Sequence, residues 1–531
     1  MEGKKSELSS IFENGVWEVE LHPHNVAPDR ILRARWVLAW RTGAGGEQRA
    51  KARLVLQGFN DPDLLEGKLE TSSPTLCRTA RQTLLAIACN ENWEKWVSDV
   101  ATAFLQGDPQ SRQLWAKLPH DACKMLNLES GALMKLKKPL YGQADAPREW
   151  YKVATRKLRQ VGFAPHPLEC CLFRLFDEND RLVCLIGLHV DDMLGAGDPS
   201  SSMYQKVKGD LRKTFDFKHW SEEAEGKQLE FCGCKLKKTD EQTWQLHQED
   251  YIPGVKPLTT TPKGDHDPLS PKEVSALRGL LGALQWPSTQ SMPHLSASIS
   301  LLCGSINGAT ESIAKAANKA LRFAKNNKDA SLQFTRLGDL NELCLTAVSD
   351  AAWGVRPDHL SQGGYFILLS HKDVLQKSGD FKYVILDWRS YKLPRISRSS
   401  LNSESQACSA AMDSLEYIQL FWKGCVNSSF TTSNVDERTG RLPCALVVDA
   451  KALYDCLKSE APQLTGDKRT QIEALVIKEK MTTTGCLLKW MSSEFQLADG
   501  LTKVASRQLM ADRLRTHMFT LQSDQNFTAA K

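Results

Sequence analysis

The sequence predicts a multidomain protein that mixes the α+β and α/β classes, and three observations carry that expectation. Its 531 residues exceed what one hydrophobic core usually serves. Apolar runs of strand length alternate with segments of helical periodicity along the whole chain. Around residues 254–273 the composition shifts to PGVKPLTTTPKGDHDPLSPK, rich in proline and threonine, which marks a linker between two structured parts.

Composition narrows the class further. Hydrophobic residues at 41% and charged residues at 25% describe an ordinary soluble globular chain. The longest apolar stretch, 182–190, is about half of the ~18 residues that a membrane span requires, so no membrane partner is expected. The opening MEGKKSELSS lacks the apolar core of a secretory signal. Fifteen scattered cysteines, with ECC at 169–171 and FCGC at 231–234 as the only clusters, lack zinc spacing and read as reduced thiols of an intracellular protein. A net charge of +5 permits a nucleic-acid partner without arguing for one, so any basic surface must be local.

The elements follow in order. Residues 31–60, ILRARWVLAWRTGAGGEQRAKARLVLQGFN, read as two strands joined by a glycine-rich hairpin turn. RTARQTLLAIACNEN at 78–92 has helical periodicity and runs into a strand, WEKWVSD. PREWYKVATRKLRQVG at 147–162 begins with proline and ends with glycine, the asymmetry of a helix. The apolar strand CLIGLHVDDMLGAGD at 184–198 comes next, followed by the strand pair LEFCGCKLKK and TWQLHQ. Beyond the linker, 272–328 is largely helical. A strand-rich block opens near 342 with LCLTAVSDAAWG and GGYFILLS. It continues with a helix at 401–424, the strand LPCALVVDA and a helix from about 467, a strand-then-helix alternation that suggests a separate α/β domain. Residues 520–531 read as a frayed tail.

Asp191 and Asp192 raise the question of function. A pair of acids at the end of an apolar strand is ordinary in a turn, with Gly195 and Gly197 close behind. It is also half of a metal site. WVSDVATAFLQGD at 96–108 is the other place where an acid, Asp99, ends an apolar strand and meets a turn. Three carboxylates at neighbouring strand ends are what two magnesium ions need to hold a triphosphate and activate a 3′-hydroxyl. Lys51 and Arg53 flank Ala52, so both can face one side of a strand toward phosphate, or simply line a solvated edge strand.

DVATAFLQG, KKPLYGQADAPREWY and LHVDDMLGAGD, in that order, resemble the reverse transcriptase of copia-type LTR retrotransposons. KARLVLQGF and SSPTLCRTAR extend the resemblance upstream, EFCGCKL and QLHQEDYI downstream. It implies a right-hand polymerase of fingers, palm and thumb. Asp99, Asp191 and Asp192 would be its catalytic metal ligands, and Phe104 would lie under the incoming sugar, where its ring favours deoxynucleotides. Three places depart from the family: His189 stands where tyrosine usually precedes Val-Asp-Asp, Ala144–Asp145 replaces Lys-Gln, and TQSMPHL replaces Thr-Arg-Pro-Asp. An acid at 145, if it lay near the nucleic-acid groove, would weaken phosphate attraction there.

A second set of acids is dispersed through the C-terminal block: Asp350 in AVSDAAWG, Glu404 in SSLNSESQA, Asp449 in LVVDAKAL and Asp499 in QLADGLTK. Singly, each reads as a cap or turn carboxylate. In this order, with SQGGYFILL between the first two, they resemble the ribonuclease H domain that follows the polymerase in copia-type Pol polyproteins. The resemblance makes all four catalytic metal ligands; Trp490 stands where relatives often carry histidine. It implies Mg2+ or Mn2+, two ions per active site, and selection of RNA through 2′-hydroxyls and hybrid shape.

The expected domains are therefore 1–255, fingers and palm; 256–341, thumb and connection; 342–519, a ribonuclease H-like domain; and 520–531, a disordered tail. Lys315, Lys319, Arg322 and Lys325, at helical intervals, either grip the template–primer backbone or form a solvated face. The implied partners are an RNA template with its primer, the RNA–DNA hybrid, deoxynucleoside triphosphates and other retrotransposon-encoded proteins. The implied compartment is the cytoplasmic virus-like particle, with the nucleus as alternative. Capsid, protease and integrase motifs are not seen, which fits the C-terminal part of a polyprotein. The rival reading is a decayed or repurposed copy that binds template–primer without synthesis.

Overall fold

In the strand Leu182–His189, seven of eight positions are buried because helices cover both faces of the sheet that contains it. The computed structural model describes residues 1–42, 48–223, 228–240, 242–261, 263–435, 437–459 and 467–521. This first sheet is antiparallel, in the order Phe217–Glu222, Glu94–Val100, Asp192–Gly197, Leu182–His189, Glu169–Phe176, Ala164–His166. One face packs on the helix Arg78–Asn90 through Leu84, Ile87, Leu185 and Leu194. The other packs on the helices Ala146–Gln160 and Ser202–Thr214 through Trp150, Val153, Val207, Ile186 and Met193. Gly195 and Gly197 lie inside a strand rather than in the turn: a Cβ at either would run into the rings of Trp96 and Tyr204.

A second sheet, Trp17–Val19, Leu133–Leu136, Trp115–Lys117, Ile31–Thr42 and Gln48–Leu56, has its own core around Leu54, Leu105, Ala116 and Met134. It carries Lys51 and Arg53. The hairpin turn at 43–47 lies outside the described residues. The third sheet joins Leu229–Phe231, Cys234–Lys238 and Thr243–His247 to Leu332–Thr335. The expected boundary at 255 thus runs between strands that share a sheet.

The stretch expected to be a linker is instead a fastened strap. Leu258 exchanges backbone hydrogen bonds with the Asn318 side chain, both 2.8 Å, and the Thr261 amide donates to Glu273 at 2.9 Å. Ser270 and Glu273 form a reciprocal cap on the helix Pro271–Gln290, so this proline-rich run is a helix start. With Ser296–Gly304 and Glu311–Asn326 that helix encloses a core of Leu277, Leu281, Leu295 and Leu321.

The C-terminal sheet is mixed, in the order Cys486–Trp490, Cys444–Val448, Leu343–Ala352, Gln362–His371, Gly379–Lys392, Met518–Leu521. Leu343–Ala352 runs antiparallel to its neighbour on one side and parallel to Cys444–Val448 on the other. The helix Ser400–Val426 crosses it and buries Cys408, Met412, Leu415 and Phe421. Met518–Leu521 pairs with Gly379–Lys382, so Thr520 and Leu521 belong to a strand rather than to a tail; residues 522–531 lie outside the described residues. No helix among the described residues is long and apolar enough to cross a membrane.

This block shares its core with the first sheet. The helix Arg78–Asn90 is buried on nearly all sides, and one apolar cluster runs from its Leu84 to Val348 and Leu415 in the block. Polar bolts reinforce the junction. Arg174 donates to the carbonyls of Gly424 and Asn427, and His166 Nε2 lies 2.9 Å from the Phe421 carbonyl while Nδ1 accepts from the Leu168 amide at 3.1 Å.

Both ring nitrogens of His166 are therefore used by the neutral tautomer, and burial holds the ring down to about pKa 4. The unfolded chain takes up this proton near pH 6.5, so stability is fully present above that pH and declines as pH falls toward 4, by about 1.4 kcal/mol per pH unit. Between pH 7 and 5 the melting temperature of the wild type is expected to fall relative to that of His166→Gln, whose amide can still donate to Phe421.

Candidate active sites

The aspartate pair sits on a two-residue hairpin. His189 faces Asp192 in register, which leaves Val190 and Asp191 as the turn. Such a turn needs a positive φ at its first residue, and Val190 adopts φ 58°, a conformation that β-branched side chains resist. Two hydrogen bonds hold it there: Trp150 Nε1 to the Val190 carbonyl at 2.8 Å, and the Val100 amide to the Asp191 carbonyl at 2.9 Å. Asp192 also faces Asp99 on the neighbouring strand. The three carboxylates thus meet at one sheet end. Burial, then the charges of Asp191 and Asp99, push the Asp192 carboxyl up to about 6.

Beside them opens a cavity of 320 Å³ whose lining includes Asp99, Asp191, Phe104, Tyr141, Lys51 and Arg53. Arg53 stacks over Tyr141 at 4.8 Å, and Phe104 meets the same ring at 5.6 Å. The Leu56 amide donates to the Tyr141 carbonyl at 2.8 Å, tying the basic strand to the Leu-Tyr-Gly segment. Gly142 permits that approach: it has φ 92°, and a Cβ there would overlap the Leu56 carbonyl.

Sequence reasoning missed two charged neighbours. Lys218 donates to Asp99 at 2.6 Å, and Glu7 accepts from the Leu54 amide at 3.1 Å beside Lys51 and Arg53. Nothing in the local pattern around Lys218 marks it, because its partner lies 119 residues away. Asp145 is corrected outright. It is buried and bonds Arg112 at 2.7 Å, and Arg112 also bonds Asp61 at 2.8 Å, so this acid closes an internal cluster. His189 is half-buried, edge-on to Phe231 at 6.4 Å. Lys315, Lys319 and Arg322 are exposed along Glu311–Asn326, Lys325 is half-buried, and Lys315 bonds Asp265 at 2.6 Å.

The second cluster is tighter. Asp350 is the eighth of ten residues of the strand Leu343–Ala352, Glu404 opens the second turn of Ser400–Val426, and Asp449 follows Cys444–Val448. Their carboxylate oxygens lie within 4.8 Å of one another. Burial and then Asp499 push Asp350 up to about 7, while burial and then Asp350 drive Glu404 well above the carboxylate range. Asp499 joins through Lys503, which bonds it at 2.7 Å and Asp350 at 3.4 Å. Gln496 and Ser493 donate to Asp449 at 3.1 and 2.7 Å, and Thr502 donates to Asp350. Trp490 Nε1 donates to the Asp449 carbonyl at 3.1 Å, so the residue at the departing position braces the backbone of an acid. Lys503 was within reach of sequence reasoning, four residues after Asp499 on the same short segment.

Both clusters fit divalent cations on the chemistry of their donors. Each holds at least one acid, Asp192 in the first and Asp350 and Glu404 in the second, whose charged form burial and neighbouring carboxylates disfavour, an arrangement that a hard, oxygen-seeking ion relieves. A third group, Glu169, Cys170 and Cys171, has its ligand atoms within 4.8 Å, although its sequence lacks zinc spacing.

Residues 14–259 match the family model described as reverse transcriptase (RNA-dependent DNA polymerase). The chain as a whole resembles retrotransposon Pol polyproteins: it is 26% identical over 518 residues to the retrovirus-related Pol polyprotein from transposon RE1 of Arabidopsis thaliana, covering 94% of this chain and 32% of that protein. It is 31% identical over 285 residues to the Pol polyprotein from transposon TNT 1-94 of Nicotiana tabacum, covering 51% of this chain and 20% of that protein. The chain thus spans about a third of the length of the first of these relatives. A solved structure, RNase H1 from the halophilic archaeon Halobacterium salinarum NRC-1, aligns at 16% identity and TM-score 0.21, covering 31% of this chain and 98% of that one.

Proposed function

We propose that this chain is the RNA-directed DNA polymerase of a copia-like retrotransposon, and that its C-terminal block degrades the RNA of the hybrid. In this reading residues 1–255 are fingers and palm, 256–341 thumb and connection, and 342–521 a ribonuclease H-like domain whose last strand is Met518–Leu521. The observation that carries it is the cavity at the aspartate hairpin. Segments distant in sequence deliver Lys51, Arg53, Asp99, Phe104 and Asp191 to one 320 Å³ space.

Asp99, Asp191 and Asp192 would hold Mg2+ or Mn2+ at the polymerase site, and Asp350, Glu404, Asp449 and Asp499 at the nuclease site. Bound there, the ions supply a lowered pKa for the attacking oxygen and charge neutralisation of the phosphate. The rest falls to the chain. Lys51 and Arg53 offset the triphosphate charge, with the Arg53 fork held flat on Tyr141. Phe104 presents a ring where a 2′-hydroxyl would sit. In the second site Gln496 and Ser493 fix the Asp449 carboxylate, and Lys503 keeps Asp499 beside Asp350. The partners in this reading are primed RNA, deoxynucleoside triphosphates and other proteins of the element, within cytoplasmic particles or the nucleus.

The test is primer extension on an RNA template with magnesium and deoxynucleotides, with a label on the RNA strand to follow its cleavage. Extended primer and shortened RNA are expected from the full chain. A folded chain that binds primed template and does neither overturns the reading. Phe104→Val is expected to raise ribonucleotide incorporation about tenfold, since a single steric contact in a pocket discriminates on that scale.

A further inference from the structure

A cavity of 740 Å³ belongs to neither carboxylate cluster. It opens beside the second half of the strand Gly379–Lys392, between the C-terminal end of Pro271–Gln290, the helix Ser296–Gly304 and the loop around Arg356. That strand pairs with Met518–Leu521 only through residues 379–382, so among the described residues its later edge has no strand neighbour on that side.

Four cations line this cavity, Arg78, Arg356, Arg389 and Lys392, against one carboxylate, Asp387. Arg78 engages Asp387. Among the described residues the other three cations have no acidic partner. Arg356 donates to Ser300 Oγ at 3.2 Å, to the Ser300 carbonyl at 3.0 Å and to Gln362, all neutral. Arg389 lies over Tyr391 at 4.6 Å, and Lys392 is exposed. In a chain of net charge +5 this is a marked local concentration.

The lining also says what the cavity does not take. The Trp388 ring is buried and covered by Arg78 at 3.9 Å, and Tyr365, the other aromatic of the lining, is buried too. Neither offers an open face to a stacked base, so the cavity favours phosphate over nucleoside.

Its position gives the phosphate a context. Asp350 pairs in register with Gly364, and Gly364 with Ser390, a single cross-strand row. Two strand spacings separate Ser390 from the nuclease acid, about 10 Å. Ser390 Oγ also donates at 2.6 Å to the Leu501 carbonyl, on the short segment that carries Asp499. With one phosphate per ~3.4 Å of axis on each strand, a backbone held here lies roughly three phosphates from the one at the carboxylates.

We propose that this cavity is a backbone clamp for the RNA–DNA hybrid, in which Arg356, Arg389 and Lys392 bind phosphodiesters and set which phosphate reaches Asp350. This rests on the nuclease reading above. Ser300 and Gln362 act as positioning residues by holding the Arg356 fork.

The test measures hybrid affinity against salt for the full chain without divalent ions, beside the double variant R389Q/K392Q. Both residues are exposed, and R389K/K392R serves as the charge-preserving control, with Lys206→Gln as a charge removed from another helix. Each lost phosphate contact is expected to flatten the plot of log affinity against log salt by about 0.9, so the double variant should lose between 1 and 2 from the slope. In magnesium, the positions of RNA cuts should also spread in R389Q/K392Q and stay in register in R389K/K392R. Wild-type slope and cut positions in a folded R389Q/K392Q, with hybrid still bound, overturn the clamp and leave the nuclease reading standing. No binding of hybrid by the wild type overturns both. Thermal stabilisation by inorganic pyrophosphate that R389Q/K392Q loses, with the hybrid slope unchanged, assigns the cavity to a small anion and overturns the clamp.

Discussion

Asp191→Asn is expected to abolish primer extension, lowering it by about a thousandfold or more, while leaving cleavage of a preformed hybrid within a few-fold of the wild type. The expectation follows from placement. Asp191 and Asp99 line the 320 Å³ cavity, whereas Asp192 lies beside it, facing Asp99 across the strand pair. Asp99→Asn should match Asp191→Asn, and Asp192→Asn should be the mildest of the three. Folding should not suffer in Asp192→Asn, because the wild-type carboxyl is already pushed up to about 6 by burial and by its two acidic neighbours. The check is a pair of assays on each purified variant, extension on primed RNA and RNA release from hybrid. Extension at the wild-type rate by Asp191→Asn would remove the hairpin from the mechanism and return it to being only a turn.

Glu404→Gln is expected to do the reverse: hybrid cleavage lost, extension kept, and the metal-free chain made more stable. The sign follows from the raised carboxyls. Glu404 sits well above its ordinary value, and Asp350 is pushed up to about 7, each by burial first and by the other acids next. The folded chain therefore holds protons that the unfolded chain has released. The resulting stability is fully present below about pH 4 and is lost as pH rises through 7. Removing one ionisable group from the cluster removes part of that loss. At pH 7.5 in chelator, Glu404→Gln should melt a few degrees above the wild type; magnesium should raise the wild type more than the variant. A variant that melts lower in chelator and gains as much from magnesium would show that the acids are satisfied structurally and do not await a cation.

The sequence by itself determined a good deal. The proline-to-glycine span at 147–162 is the helix Ala146–Gln160, the acid pair lies on a hairpin, and Asp449 follows an apolar strand, all as expected; Asp350 lies inside its strand, two residues before the end. These are local matters. Periodicity, turn chemistry and the residues that start and stop a helix act over a few positions and are written where they act.

Other features stayed hidden until the chain was folded. The strand Gly379–Lys392 lies among charged and aromatic residues that show no clean alternation, and half of it is an edge. The proline-rich strap looked like a free linker, because Asn318, which fastens Leu258, lies 60 residues further along the chain, and Glu273, which fastens Thr261, stands at its far end. Asp145 looked like a charge facing nucleic acid, because Arg112 and Asp61 reach it from earlier segments. Gly195 and Gly197 looked like turn residues, but they make room for Trp96 and Tyr204.

Sequence thus determined which segments become strands and helices and where acids stand at their ends. Only the tertiary structure decided which of those acids meet, that Lys218 and Lys503 bond to them, and that one core joins the two blocks that carry them. The physical reason is the range of the forces concerned. Backbone preference is settled among neighbours in the chain, whereas burial, charge pairing and packing depend on neighbours in space, which for Asp99 and Lys218 are 119 residues apart.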